Sequence, residues 1–400
     1  MQLGLALPMA YYFHRATSVA ILANLLMVPL LQLLMPAAVL AIGLSYVSLW
    51  LAKIPAAVAG FALSGISQTV HWLGGMNIAD VRVPTPGLPV LTASGILILI
   101  AILMTRRSKF CTAVGVALLC FSAVGVWEIR PHQRLRPGVL EVTAIDVGQG
   151  DSLFLGFPDG KTILIDGGGL SFWMHSQMDL GEDVVSPYLW SRGIVRLDAV
   201  ALTHAHQDHM GGLPAIIANF HPRELWLPEG ILPDEIPDLL RIAQRYGVKV
   251  IHHQAGDIFD YGRATIRVLA PDPQIPVRLS HRNDESMVMK ITYGNTSALL
   301  EADAEKGTEK LVSTEQPAAD LLKIAHHGSA SSTNADLLAV VHPKFAVISV
   351  GARNVYHHPR IQVLERLQQA GAVTYRTDIN GASTFYLDGS VVIPRMPDLR

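Results

Sequence analysis

Thr203-His204-Ala205-His206-Gln207-Asp208-His209-Met210-Gly211-Gly212 decides how this chain is read. His204, His206, Asp208 and His209, four potential metal ligands, fall within six residues. A largely apolar run, 197–202, precedes them and predicts a buried strand; Gly211-Gly212 then opens a helix over Leu213–Phe220. A strand end that aims several imidazoles and a carboxylate at one point is how proteins build a hydrolytic metal centre. The plainer reading is a His-rich surface loop. The strand before the ligands and the glycine pair after them favour the centre.

Outward from this stretch the 400 residues divide by chemistry. Residues 1–137 carry Arg15, Lys53, Arg82, Arg106, Arg107, Lys109, Arg130, Arg134 and Arg136 against only Asp80 and Glu128, a formal +7. The remaining 22 basic and 31 acidic residues make 138–400 a formal −9, and that part holds 13 of the 16 histidines. An acidic domain is a poor electrostatic partner for phosphates unless bound cations supply positive charge locally. Cys111 and Cys120 lie in an apolar run and predict neither a disulfide framework nor a thiolate metal site.

Residues 16–52 have no charged side chain. A membrane span needs about 20 residues, so the run predicts two spans, 16–34 and 37–52, broken near Pro36. The apolar segment 1–13 reads as the end of a span, and 54–79, with its Ser, Gln and His, as an interfacial helix. Leu88–Met104 and 110–127 predict two further spans joined by Thr105-Arg106-Arg107-Ser108-Lys109. A short basic loop favours the cytoplasmic side and so places the His-rich part outside the cytoplasm, although Arg130, Arg134 and Arg136 pull the other way.

After the linker Pro137-Gly138, strands are expected over 139–147, 153–157 and Thr162–Ile165, the last ending in Asp166-Gly167-Gly168-Gly169. Further strands are expected at 248–252, 264–269, 286–293, Thr296–Leu300, 321–325 and 345–350, and helices at 234–246 and 362–369. Two sheets covered by helices, with ligands at strand ends, give an α/β chain of the αββα sandwich type behind an α-helical membrane region. Gly148-Gln149-Gly150 lacks a following Gly-Lys-Ser/Thr, so no P-loop is present.

His-X-His-X-Asp-His-X-Gly-Gly after a strand, with Asp166-Gly167-Gly168 upstream, resembles the metallo-β-lactamase superfamily. The stretches Asp146-Val147-Gly148-Gln149-Gly150-Asp151-Ser152, His326-His327-Gly328-Ser329 and Asn354-Val355-Tyr356-His357-His358-Pro359 narrow it, as does the Tyr11-Tyr12-Phe13-His14-Arg15 junction. Together they resemble the ComEC family of natural transformation, with a competence-domain end at 1–137 and a hydrolase domain at 138–400. The resemblance implies a chain lacking that family's amino-terminal half, which alone would not transport DNA.

The resemblance implies two divalent metal ions, Zn or Mn: His204 and His206 on one, Asp208 and His209 on the other. The residues alone also allow a single ion. Asp303 is the implied bridge, in Ala302-Asp303 where the family has Gly-Asp; His358 is the implied last ligand. The family pattern Tyr-Gly-His-Pro-His here reads Tyr356-His357-His358-Pro359-Arg360. His327 is expected to ligate or to contact the substrate phosphate, with His326 as its alternative. Asp208 is the candidate for orienting the attacking hydroxide or acting as general base. Asp166 is expected to orient the ligand loop; Asp151 and Ser152 border the site or merely form a turn; Ser329 helps hold phosphate. His281, the remaining candidate ligand, reads as a surface loop residue, and His175, His221, His252, His253 and His342 as structural.

The function implied is a multi-pass inner-membrane protein of DNA uptake, working with other uptake components. Its metal-dependent phosphodiesterase would degrade one strand, with single-stranded DNA as substrate. Two other classes stay open: a channel component whose domain only grips DNA, and a membrane-tethered hydrolase of small esters or lactones.

Overall fold

A computed structural model describes residues 2–17, 19–76, 79, 81–105, 107–129, 133–170, 178–272 and 282–395. His175 and His281 lie outside the described residues. Contacts divide the chain into two compact units, Met1–His132 and Gln133–Arg400.

The first unit is helical. Ala20–Ser45, Leu49–Gly74 and Lys109–Glu128 are long and apolar enough to cross a membrane, by length and composition. Leu88–Met104 forms over the expected range, 17 residues or about 25 Å of helix. Two expectations are corrected. One helix, Ala20–Ser45, runs through the predicted span 16–34 and the first half of 37–52, with Pro29 and Pro36 inside it, and residues 49–52 open the next helix, Leu49–Gly74. Each proline removes one backbone bond, but an apolar segment offers the freed groups nothing better than the rest of the helix. The break falls at Tyr46-Val47-Ser48, where the N–H groups of Val47 and Ser48 both return to the Leu44 carbonyl. Residues 54–74 of the predicted interfacial helix at 54–79 are instead part of Leu49–Gly74, a candidate span of mean hydropathy 1.6. Its polar side chains do not expel it from an apolar setting because they bond to their own helix. Thr69 Oγ1 donates to the Gly65 carbonyl at 2.8 Å, and His71 Nδ1 lies 2.8 Å from that of Ser67.

Among the described residues, the second unit is built on two sheets. One has seven strands, in the order Val373–Arg376, Phe345–Ile348, Leu321–Lys323, Thr296–Leu300, Val288–Tyr293, Ala264–Ala270, Ile258–Tyr261. The other has eight: Val392–Arg395, Ser383–Leu387, Leu140–Ala144, Leu153–Gly156, Thr162–Ile165, Ala199–Ala201, Glu224–Pro228, Lys249–His253. Val142, Leu155, Ile163, Ile266, Met289, Ile291 and Leu300 form the core between the sheets. On the outer face of the eight-stranded sheet, Phe154, Leu164 and Val200 pack with Trp190, Ile217 and Phe220 of the covering helices. Leu299, Leu322 and Ala346 of the seven-stranded sheet do the same with Val312, Leu337 and Leu367. The layering is αββα, as expected. Strands buried on both faces need apolar residues at every position, so they read as runs rather than alternations.

In each sheet four consecutive strands run parallel: Thr162–Ile165 to Lys249–His253, and Thr296–Leu300 to Val373–Arg376. Their carboxyl ends release Asp166, the 203–212 loop, Asp303 and the His326-His327 turn, which meet in one site. Parallel strands characteristically deliver functional groups beyond their carboxyl ends.

Glu301 closes one of these strands. It is fully buried, and neither carboxylate oxygen has a hydrogen-bond partner. Burial, reinforced by Glu309 and opposed by Lys323, pushes its carboxyl well above the usual carboxylate range. The folded state therefore keeps a proton that the unfolded chain releases. Stability falls as pH rises from the ordinary carboxylate value through the raised one. Glu301→Gln is expected to raise the melting temperature by roughly a few degrees at pH 8 and to leave it little changed at pH 4. Thermal unfolding of the full chain in detergent, followed by tryptophan fluorescence, reads this; a Tm that drops at both pH values would refute it.

Candidate metal centre

Asp166 anchors the ligand loop. It follows Thr162–Ile165 with φ +59°, and its own N–H bonds to the Ala201 carbonyl. Its carboxylate accepts from the Thr203 N–H at 2.8 Å, from Thr203 Oγ1 at 2.7 Å and from His209 Nδ1 at 2.7 Å. The last bond places the His209 proton on Nδ1 and turns Nε2 into the site, the usual way an outer carboxylate orients a ligating imidazole. Burial disfavours a charged His209, but Asp303 and Asp166 outweigh it and hold the imidazole well above its ordinary value.

His204 is fully buried. Its Nδ1 lies 3.2 Å from Thr203 Oγ1 and 3.4 Å from Ser286 Oγ; its Nε2 lies 3.0 Å from His206 Nδ1. Burial, with neighbouring His209, lowers it well below the ordinary value, so it is neutral and can ligate.

Asp303 is the hub. Its Oδ2 is 3.3 Å from His209 Nε2, 3.7 Å from His327 Nε2, and 3.9 Å from both His204 Nε2 and His326 Nε2. Burial would raise its carboxyl, but His209 and His327 keep it well below the usual range. Asp208 Oδ2 stands 3.4 Å from His327 Nε2, and there too the imidazoles outweigh burial and hold the carboxylate ionised.

His327 donates from Nδ1 to the Ser349 carbonyl at 2.9 Å, leaving Nε2 pointing inward. Neighbouring side chains of a turn normally diverge. Here His326 and His327 take left-handed φ values of +47° and +53°, and both Nε2 atoms come within 4 Å of Asp303. His326 is tied at its other nitrogen to Glu305, 3.2 Å away. His358 stands one ring further out, 5.8 Å from the His326 ring; burial, then His326 and His327, lower it to about 4.

Asp208, His209, Asp303 and His327 thus place one ligand atom each within 4.8 Å of one another, as do Asp151, Asp166 and His209. His204 and His206 stand beside the first group. Asp151 pairs with the buried Lys323 ammonium, while its Oδ1 lies 3.6 Å from His327 Nδ1. Ser152 Oγ is buried without a partner. Ser329 Oγ bonds to Ser331 Oγ. Lys323 and Ser286 are site residues the sequence reading passes over. A lysine inside the apolar run Leu321-Leu322-Lys323-Ile324-Ala325 is the signal that pointed to the first; nothing local marked the second.

His209 Nε2, His327 Nε2 and Asp303 Oδ1 are buried without hydrogen-bond partners. Unsatisfied buried polar atoms are costly, and a divalent cation among them satisfies all three. The donor set, nitrogen and oxygen without thiolate, suits Zn, Mn or Fe.

Residues 1–108 match the competence-protein family model and residues 145–352 that of the metallo-β-lactamase superfamily. ComE operon protein 3 of Bacillus subtilis is 32% identical over 402 residues, covering 95% of this chain and 50% of that protein. Recombination protein 2 of Haemophilus influenzae is 31% identical, covering 67% of this chain and 30% of the relative. The chain belongs to the ComEC family. It joins a competence segment to a metallo-β-lactamase superfamily domain, and spans about half the length of the Bacillus relative. Among solved structures, the metallo-β-lactamase fold protein YhfI of Bacillus subtilis is 16% identical, with a TM-score of 0.43, covering 62% of this chain and 99% of that one.

Proposed function

We propose that this chain is a membrane-bound component of DNA uptake whose hydrolase domain cleaves phosphodiester bonds in the strand that is not transported. The observation that supports this best is the convergence of His209, His327, Asp208 and Asp303 at the ends of parallel strands, in a chain that also carries a competence segment. His204, His206, Asp208, His209 and Asp303 would hold the divalent ions, with His358 as a further neutral ligand. Such ions, when bound, supply a nucleophile at neutral pH and offset phosphoryl charge. Asp208, ionised beside His327 and His209, would orient the attacking water. His327, with Nδ1 fixed on Ser349, directs Nε2 at a phosphoryl oxygen. The basic loop at 105–109 supports an arrangement in the inner membrane with the hydrolase domain outside the cytoplasm.

Full-length protein in detergent is expected to cut single-stranded DNA with added Mn or Zn, and His204→Ala and Asp208→Ala to abolish cutting. Variants with full activity would refute the site. Hydrolysis of esters or lactones but not DNA would favour a small-molecule hydrolase. Binding without any hydrolysis would favour a DNA-gripping role.

A further inference from the structure

The loop after Phe345–Ile348 reaches from the metal centre to the surface, and its backbone is tied down. Asn354 donates to the carbonyls of Gly351 at 2.9 Å and His358 at 2.7 Å, and accepts from the His358 N–H at 2.9 Å. The Arg360 N–H bonds to the Gly328 carbonyl at 2.9 Å. Gly328, at φ +81°, lies so close to Pro359 that a Cβ would sit 2.6 Å from the proline Cβ. The loop is therefore pressed against the His326-His327-Gly328 turn. From that turn a series of rings leads outward. His326 Nε2 is 3.9 Å from Asp303; the His326 and His358 rings are 5.8 Å apart; Tyr356 stacks on His358 at 5.7 Å and 26°. Tyr356 keeps 36% of its surface exposed, and Val355 beside it 71%.

The loop itself is basic, whereas Asp303 and Glu305 border the inner end of the ring series. The domain is acidic, yet no Asp or Glu occurs between Asp336 and Glu365, while Arg353, His357 and Arg360 are exposed on the loop. Arg353 and His357 both hold left-handed backbone, φ +55° each.

We propose that Tyr356 seats an unpaired nucleobase next to the metal centre and that Arg353, His357 and Arg360 hold the adjoining phosphates, so that the site takes single-stranded nucleic acid in preference to duplex. This rests on the phosphodiesterase reading above. An aromatic face accepts any base, whereas a base within a duplex must first be unstacked and unpaired. The arginines act on the backbone, which single strands, abasic strands and duplexes all present.

Fluorescence anisotropy with the full chain in detergent and EDTA separates these roles, because nothing is cut. The probes are a short oligo(dT), an abasic strand of the same length, and a duplex. Wild type is expected to bind oligo(dT) most tightly. Tyr356→Ala should weaken oligo(dT) roughly 10-fold and leave the abasic strand unchanged; Tyr356→Phe should restore binding. Arg353→Ala and Arg360→Ala should weaken all three probes and flatten the salt dependence. Equal loss on oligo(dT) and abasic strand in Tyr356→Ala, no loss on either, or a wild type that prefers duplex or binds nothing, overturns the proposal. Adding Mn to the bound strand then tests the other reading alone. Base-dependent binding without cleavage removes the phosphodiesterase and leaves the Tyr356 seat standing.

Discussion

Asp303→Asn is expected to lose bound metal and to lower hydrolysis by well over the roughly 10–100-fold that removal of an outer-shell partner costs. Asparagine keeps the volume and one oxygen but not the charge. That charge is what four imidazole nitrogens share within 4 Å. In metal-free protein the same substitution should also destabilise the fold, because it removes the carboxylate that faces Nε2 of the buried His209 and leaves only Asp166 and the more distant Asp151 at Nδ1; loss of one partner from a buried pair costs about 3–5 kcal/mol. The sign follows from two opposite shifts. The Asp303 carboxyl is depressed, so its contribution is present above the ordinary carboxylate value and disappears as pH falls through the lowered one. His209 is raised, so its contribution is lost as pH rises through the elevated value. The destabilisation in EDTA should therefore be largest around neutrality and shrink toward both extremes. Metal content by elemental analysis, turnover, and Tm against pH measure the three effects. Wild-type metal content and activity in Asp303→Asn would make Asp303 an ordinary loop acid.

The metal loop is legible in the sequence because its four candidate ligands are adjacent and their geometry is local. Asp303, His327 and His358 have no such spacing relation to it, and they were reached through a family resemblance. Lys323 illustrates the limit. Its partner Asp151 is 172 residues away, so nothing near it in the chain explains a buried ammonium. The sequence favours His327 over His326 because neighbouring side chains diverge in ordinary backbone, and nothing local marks two successive left-handed residues. Among the strands, most buried runs match the expected ranges within a few residues, but Glu224–Pro228, buried inside the eight-stranded sheet, is not among the expected strands. Ile258–Tyr261 and Val392–Arg395 are not either, because they lie at sheet edges and are only half covered, which removes the apolar run. Ser383–Leu387 is fully buried but pairs with Leu140–Ala144, some 240 residues earlier, and no turn signal joins them. In the first unit the prolines misled: a breaker in water is not one in an apolar helix.

Gly169→Ala should be the most damaging single methyl group in the domain. The reason is space, not backbone freedom. A Cβ on Gly169 would overlap the Gln207 carbonyl oxygen, lie 2.9 Å from the carbonyl carbon and 3.0 Å from Gly211 Cα. Gln207 begins the short helix Gln207–Met210 that carries Asp208 and His209. Backbone meets backbone here: the Gly167 N–H bonds to the His209 carbonyl at 2.7 Å and the Gly212 N–H to that of Gly168 at 2.9 Å. No flexible side chain can give way, so the two loops must part, and His209 is drawn off Asp166. Overpacking of this kind costs about 1–3 kcal/mol. A catalytic group displaced by about 1 Å costs on the order of 100-fold in rate. Gly160→Ala is the control: at φ +93° with nothing within 4 Å of a Cβ, it strains a surface turn far from the ligands. Both variants should lower Tm, but only Gly169→Ala should lose metal and turnover. Equal activity in the two at equal Tm would show that the ligand helix does not depend on this contact.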